Sequence, residues 1–463
     1  MDAACPSPDF MAVEYTLAAN LTGAAPGPEW VPVECASKEA YGCGDLGEKR
    51  FLQGLTLHVR RLERADLINT SLSIALTDEA VRSIQSELGL PLRLQGVDGL
   101  VPDVQGSVKV ADAGVLVICV YFNIWDFGSS TYYLVYDTAD ASLYMIPFIP
   151  ARVVEAICTV TPVPARAAAG QGHELALVAQ KLWPQPERGR LCVCTPATRA
   201  ASSHADPDDD DGPWEIKVHR GFPDFPQAFV VDLVFSCEGK AFWADLSRGV
   251  AYSDLRQDGP AVDAAFVALP DGYEIDYPSL PEDVWIDTVK VSRTMGCVQG
   301  SVKFVSIDPG VTTRRRPPGN NANATVIKVW TLDLDRRRWE EEEGLTCAWG
   351  ELWTKACAMD ARLRDVQPLE PQYPVLLPDG ALCLLLPKTR HRRRGPRVKK
   401  PDYICSFDML SKSCLCFRQV CNYHIVDPII LPYDFFKNCY PAPKRKPPTR
   451  KRKIQSISTQ MPT

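Results

Sequence analysis

The chain has no apolar run long enough to cross a bilayer as a helix. Its longest, Gly114 to Trp125 (GVLVICVYFNIW), falls short of the roughly 20 residues a span needs and reads as a buried strand. The opening MDAACPSPDF has no basic n-region and no apolar h-region, so the expected location is nucleus or cytoplasm, not secreted and with no membrane contact. Without a secretory route, the 17 cysteines are expected as reduced thiols. Histidine is scarce, at six. No G-x-S-x-G elbow, Walker loop, H-E-x-x-H or kinase set occurs, so no catalytic residue, no cofactor and no metal are expected. Long amphipathic helices are scarce as well. In their place 39 prolines and 29 glycines punctuate many short apolar runs, which points to all-β organisation.

What the chain does have is an ordinary globular core composition, 46% hydrophobic and 23% charged. Its net charge of −6 is segregated: Lys388 to Lys453 carries 18 Lys and Arg against 4 Asp and Glu, and the remainder 33 against 53. An acidic body with a basic end suits an anionic partner, or attraction between its own two parts.

The most regular stretch runs from Val230 to Asp254 (VVDLVFSCEGKAFWADLSRGVAYSD). It reads as three short strands joined by tight turns at Glu238-Gly239 and Ser247-Arg248-Gly249. Weaker copies of its halves recur. Strand, glycine turn, strand appears around Gly114 to Trp125, Met295 to Ile307 and Pro374 to Pro387. Strand, terminal Asp, polar turn, strand recurs at Asp137, Asp245, Asp333 and Asp408, where a short carboxylate can accept a hydrogen bond from the turn backbone two residues on. A more degenerate unit spans residues 174 to 220. Val230 to Phe235 is apolar on both alternating faces except at Asp232, as expected for a strand covered on both sides. A two-sheet sandwich, the competing arrangement, would alternate more cleanly.

The expected fold is therefore all-β: a β-propeller-like repeated antiparallel meander of about five to six units, with a small N-terminal α/β segment. The expected boundaries are an irregular segment over 1–50, an α/β segment over 51–105, the propeller-like domain over 106–430 and a basic, disordered tail over 431–463. Phe51 to Val59 and Ser71 to Leu76 read as strands. The one clear helix opens at Thr77 and runs through Val81, Ile84 and Leu88 to Gly89.

The stretch VDLVFSCEGKAFWADLSRGVAYSD, continued by FVALPDGY at Phe266 to Tyr273, resembles a plant family expanded in grasses, the domain of unknown function 1618. Members carry a similar W-x-D-L…G…D…LP block, here Trp243, Asp245, Gly249 and Asp254. The downstream VKVSRTMGCVQGSVKFVSI at Val289 and VWTL at Val329 also match. The resemblance is specific over residues 228 to 340 and looser to about 430. It implies kinship with F-box-associated and kelch-type propellers, and it supplies no reaction and no catalytic residue. No F-box-like helical motif precedes the block.

Other motifs have bland readings. Gly42-Cys43-Gly44-Asp45-Leu46-Gly47 matches G-x-G-x-x-G but lacks the preceding strand and following helix of a dinucleotide site. Cys405, Cys414, Cys416, Cys421, His424 and Cys439 form the densest Cys/His group. In a regular strand Cys414 and Cys416 share one face and Leu415 takes the other, so buried thiols are expected rather than zinc ligands.

Lys444, Arg445, Lys446, Arg450, Lys451, Arg452 and Lys453 surround a Pro-Pro spacer, the pattern that importin grooves read. The expected function is a non-enzymatic scaffold that engages a protein partner through loops such as Ala200 to Gly212 and Arg314 to Asn323. One alternative is nuclear nucleic-acid association through Lys388 to Lys400 and the tail. The other is an enzyme with its site on the propeller face.

Overall fold

Strands in this chain start and stop where the sequence punctuates them. The computed structural model describes residues 10–14, 16–21, 23, 26–41, 43, 50–64, 67–91, 100–112, 114–149, 161–166, 173–179, 190–194, 214–220, 229–255, 261–275, 288–309, 325–359, 363, 370–386, 402–420, 429–432, 434–436 and 439.

The N-terminal part contributes β1 (Phe10–Val13), β2 (Thr16–Asn20), β3 (Val31–Pro32), β4 (Ser37–Ala40), β5 (Leu55–Arg64) and β6 (Leu67–Leu76). Helices α1 (Arg50–Gln53) and α2 (Asp78–Glu87) flank the β5–β6 hairpin. The start of the Phe51 to Val59 run is thus a helical turn, and the strand begins only at Leu55. Helix α2 is capped as its sequence predicts. Thr77 Oγ1 accepts from the Ala80 N–H at 3.3 Å, and Gly89 takes the left-handed conformation (φ 80°) beyond the last turn.

Five antiparallel four-stranded meanders follow among the described residues. The first is β7 (Asp103–Asp112), β8 (Val115–Ile124), β9 (Gly128–Asp137) and β10 (Ser142–Pro147). The second is β11 (Val163–Arg166), β12 (His173–Ala179), β13 (Arg190–Cys194) and β14 (Glu215–Arg220). The third is β15 (Leu233–Cys237), β16 (Lys240–Asp245), β17 (Gly249–Asp254) and β18 (Ala261–Ala268). Helix α3 (Thr288–Ser292) leads into the fourth: β19 (Arg293–Val298), β20 (Ser301–Asp308), β21 (Val326–Asp333) and β22 (Arg338–Glu341). A short β23 (Cys347–Ala348) and helix α4 (Trp349–Met359) precede the fifth: β24 (Gln372–Leu376), β25 (Ala381–Leu386), β26 (Asp402–Asp408) and β27 (Ser413–Val420). Finally β28 (Ile429–Pro432) pairs antiparallel with β1, Ile429 opposite Val13 and Pro432 opposite Phe10.

The apolar layers identify this as propeller-like. Side chains of the second strands alternate between two neighbours. In β12, Leu175 and Leu177 pack toward the first meander and Ala176 and Val178 toward the third. In β16, Trp243 packs toward the second meander and Phe242 toward the fourth. In β20, Val302 and Phe304 face the third meander while Val305 and Ile307 face the fifth. In β25, Leu382, Leu384 and Leu386 face the fourth, whereas Cys383 and Leu385 join a layer shared with the N-terminal strands and the first meander. The sheets therefore succeed one another in chain order. The N-terminal strands complete the series: β6 pairs with β27 and β2 with β7.

The doubly covered strand is not the one read from the sequence. Val230 is 54% exposed and lies outside β15, which begins at Leu233 and is only partly buried. β15 is the edge strand of its sheet and pairs only with β16. Second strands, apolar on both faces, are the buried ones, as in β25 with every residue buried.

Helix α4 went unread in the sequence. Trp349, Leu352, Trp353 and Ala356 are its buried stripe, packed with Phe407 between the fourth and fifth meanders. Cys414 and Cys416 do not share a face. They oppose the adjacent residues Phe407 and Ser406, so a bulge at Leu415 turns Cys414 toward the layer of α4 and Cys416 toward the opposite layer.

Candidate functional site

The turns between first and second strands gather at one end of the structure. Asp112 at the end of β7 accepts from the Ser236 N–H (2.6 Å) and hydroxyl (2.7 Å) at the end of β15. The Gln299 N–H donates to the Pro378 carbonyl (3.3 Å), and its side-chain Nε2 donates to the Asp379 carbonyl (3.2 Å). Strand alternation then places the turns between second and third strands at the opposite end.

In the third meander that opposite end is closed. Asp245 is fully buried; its Oδ1 accepts from the Ser247 N–H (2.9 Å) and hydroxyl, and its Oδ2 from the Val230 N–H (3.0 Å). Burial pushes its carboxyl above the usual range, and these donors work against that rise. The segment Leu269 to Ile275 lies over the turn, with the Leu269 N–H on the Arg248 carbonyl (2.9 Å) and the Ile275 N–H on the Ser247 carbonyl (2.8 Å). Tyr273 donates to Asp308 at 2.5 Å, and Arg293 donates to the Leu246 (2.9 Å) and Tyr273 (2.7 Å) carbonyls. Trp339 Nε1 reaches back to the Ala268 carbonyl at 2.8 Å.

The remaining signature residues hold strands together. A Cβ on Gly249 would lie 2.2 Å from the Val267 carbonyl oxygen, so only glycine fits between β17 and β18. Asp254 pairs with Lys240 at 3.3 Å across β16–β17. Asp245, Gly249 and Asp254 thus tie the third meander together and Trp243 packs it on the second, while Tyr273, Arg293 and Trp339 clasp it to the fourth.

The four strand-ending aspartates are not equivalent. Asp137, Asp333 and Asp408 end third strands, and Asp245 ends a second strand, at the other end of the fold. Asp137 and Asp408 accept from the N–H two residues on (2.8 and 2.9 Å), while Asp333 accepts from Arg336, three residues on.

In the first meander the corresponding turn carries exposed aromatic side chains. Ile124 and Gly128 close a turn whose three residues are Trp125, Asp126 (φ 69°) and Phe127, with the Phe127 N–H on the Ile124 carbonyl at 3.0 Å. Trp125 is 79% exposed and Phe127 38%, beside Val101 at 52%. The base is firm. Gly128 packs on Leu88 at the end of α2, and buried Gln85 donates to the Leu100 carbonyl at 2.9 Å. Trp125 therefore lies outside the buried strand expected over Gly114 to Trp125, and the D-F-G after it marks the turn.

The basic positions Lys444, Arg445, Lys446, Arg450, Lys451, Arg452 and Lys453 lie outside the described residues, as do Ala200 to Gly212, Arg314 to Asn323, Lys388 to Lys400, Cys421, His424 and all of the glycine-rich 42–47 stretch but Cys43. Among the described residues thirteen cysteines are free thiols, and no group of three His, Cys, Asp or Glu could hold a metal ion. No described helix is long and apolar enough to cross a membrane.

The clasp is also where the chain meets known families. Residues 243–383 match DUF1618, a protein family of unknown function. The DUF1618 match begins at Trp243 in β16 and ends at Cys383 in β25, so it takes in the clasp and the whole fourth meander. No curated protein matches the chain. Among solved structures, it is similar to the β-propeller domain of the Trilobed protease from Pyrococcus furiosus, at 7% identity and TM-score 0.31 over 65% of this chain and 68% of that one. It is also similar to the catalytic domain of the Coprinopsis cinerea GH62 alpha-L-arabinofuranosidase (12%, 0.26, 64% and 86%) and to a Synechocystis apocarotenoid oxygenase (11%, 0.25, 71% and 63%). These likenesses are too distant to carry chemistry across to the DUF1618 region.

Proposed function

We propose that this protein is a non-enzymatic scaffold that binds a protein partner through the exposed aromatic turn of its first meander. One observation carries the reading: Trp125 and Phe127 stand exposed on a turn held by α2 and the β8–β9 hairpin. A rigid, exposed tryptophan is the residue type that anchors protein interfaces, because it removes a large apolar area from water at little entropic cost. Proximity labelling of the wild-type chain against Trp125→Ala/Phe127→Ala tests it. The partner should disappear from the double variant while folding is unchanged; an identical partner set in both would defeat the reading.

A second reading has its own support. Asp308 and Thr325 bracket the insertion containing Arg314 to Arg316, and Leu386 and Asp402 bracket the one containing Lys388 to Lys400. Both brackets open at the same end as Trp125. Two acid-free basic insertions in consecutive meanders suit nucleic acid, whose binding would weaken steeply between 50 and 200 mM salt, by about 10³-fold or more for six or more phosphate contacts. Salt-independent retention on nucleic acid, or none, would dismiss it. The tail from Lys444 to Lys453 is proposed as an import signal read by importin, and a fluorescent fusion lacking residues 444–463 that still concentrates in nuclei would refute that role.

A further inference from the structure

Cys237 closes β15 and Cys297 stands one residue before the end of β19, so two thiols from consecutive meanders arrive at the end where the first turns converge. The turns that follow them lie side by side: a Cβ on Gly300 would come within 2.8 Å of Glu238 Oε1. Both side chains pack into the one apolar layer between these meanders. They are not equivalent. Cys237 is buried (4% exposed) in the apolar layer with Phe242 and Phe304, while Cys297 is half-buried.

We propose that Cys237 and Cys297 form a peroxide-reactive dithiol that closes to a disulfide between the third and fourth meanders. The thiolate of Cys297 attacks one peroxide oxygen, the O–O bond breaks, and hydroxide leaves with the electron pair. Cys297 is then a sulfenic acid. Cys237 gives its proton to the departing hydroxyl and attacks the Cys297 sulfur; the S–O bond breaks and water is released. Two thiols and one hydrogen peroxide yield one disulfide and two waters. A small-molecule thiol reverses the step by exchange.

The surroundings select this pair. The neighbouring Cys237 thiol holds the Cys297 thiol below its ordinary value despite burial, and the Gly300 backbone adds to this. Asp112 and Glu238 oppose that lowering and do not reverse it. Burial pushes Cys43, Cys347, Cys383, Cys405 and Cys414 the other way, and Cys237 is raised too by its interaction with Cys297 and by burial, which casts Cys297 as the thiol that attacks peroxide and Cys237 as the one that resolves.

The test uses the full chain, reduced, then treated with limiting hydrogen peroxide, alkylated and digested without reductant for mass spectrometry. A Cys237–Cys297 linked peptide should appear first and vanish on treatment with dithiothreitol. In Cys237→Ser the sulfenic acid should persist on Cys297 and react with dimedone about tenfold faster than Cys119 or Cys357, the other half-buried thiols compared. In Cys297→Ser the linked peptide should be absent. Absence of the linked peptide from the wild-type chain after peroxide would overturn the proposal, a result independent of how any variant folds. Dimedone labelling of Cys297 no faster than that of Cys119 would overturn it as well.

Discussion

Gly249 shows most simply how a single position fixes part of this fold. The Val267 carbonyl lies where its Cβ would be, and neither strand can retreat without breaking the β17–β18 ladder. Gly249→Ala should cost about 3 kcal/mol of unfolding free energy in urea titration. Asp245 is comparable. Truncation to Ala leaves the Val230 and Ser247 donors unsatisfied in a buried turn, so Asp245→Ala should cost about 3 kcal/mol, with Asp245→Asn retaining part of it. Both positions were legible in sequence because a turn needs its aspartate and glycine locally. Trp125 was not, because an apolar run continues past the strand end and hides the turn.

At the scale of elements, the pairing of β20, β21 and the chain after β22 is held by a polar knot. Lys303 reaches Glu342 at 2.6 Å and Thr331 at 2.9 Å, and Thr331 also donates to Glu342. Burial works against the Glu342 charge, but the hydrogen bonds from Lys303 and Thr331 outweigh it and hold the carboxyl below its ordinary value. Its folded value therefore lies below its unfolded one. The stabilisation is present in full above an unfolded pKa of ~4.3 and is lost as pH falls through the folded value. After discounting for partial exposure, Glu342→Gln should cost about 0.5 to 1 kcal/mol at pH 7 and less as pH falls below the unfolded value, measured by denaturant unfolding across that range.

Elements were read unevenly from sequence. The hairpins at Glu238-Gly239, Gln299-Gly300 and Asp379-Gly380 announced themselves through glycines at positive φ. Helix α4 did not, because Gly350 and two tryptophans mask a stripe at 349, 352, 353 and 356 that has helical spacing. The bulge at Leu415 left no sequence mark either, so strict alternation put Cys414 and Cys416 on one face.

For the whole molecule, the telling contact is between its ends. β28 lies on β1, and Leu431 is buried in the layer that also holds Val13, Leu17 and Val108. Repetition of strand pairs predicted a run of meanders; nothing in the repeats predicted that residues 10–76 would pair into the sheet linking the last meander to the first. Leu431→Ala should cost about 2 to 4 kcal/mol, and limited proteolysis should then release the N-terminal strands first. Loss of stability without such release would show that β28 does not tie the ends together.

The exposed aromatic turn of the first meander is the proposed binding surface. Its most direct measurement is the dissociation constant of the captured partner for the wild-type chain and for Trp125→Ala, with thermal midpoints compared in parallel. The expected result is an unchanged midpoint and a Kd weakened at least about thirtyfold, the ~2 kcal/mol of an anchoring tryptophan. An unchanged Kd with an unchanged midpoint would contradict it.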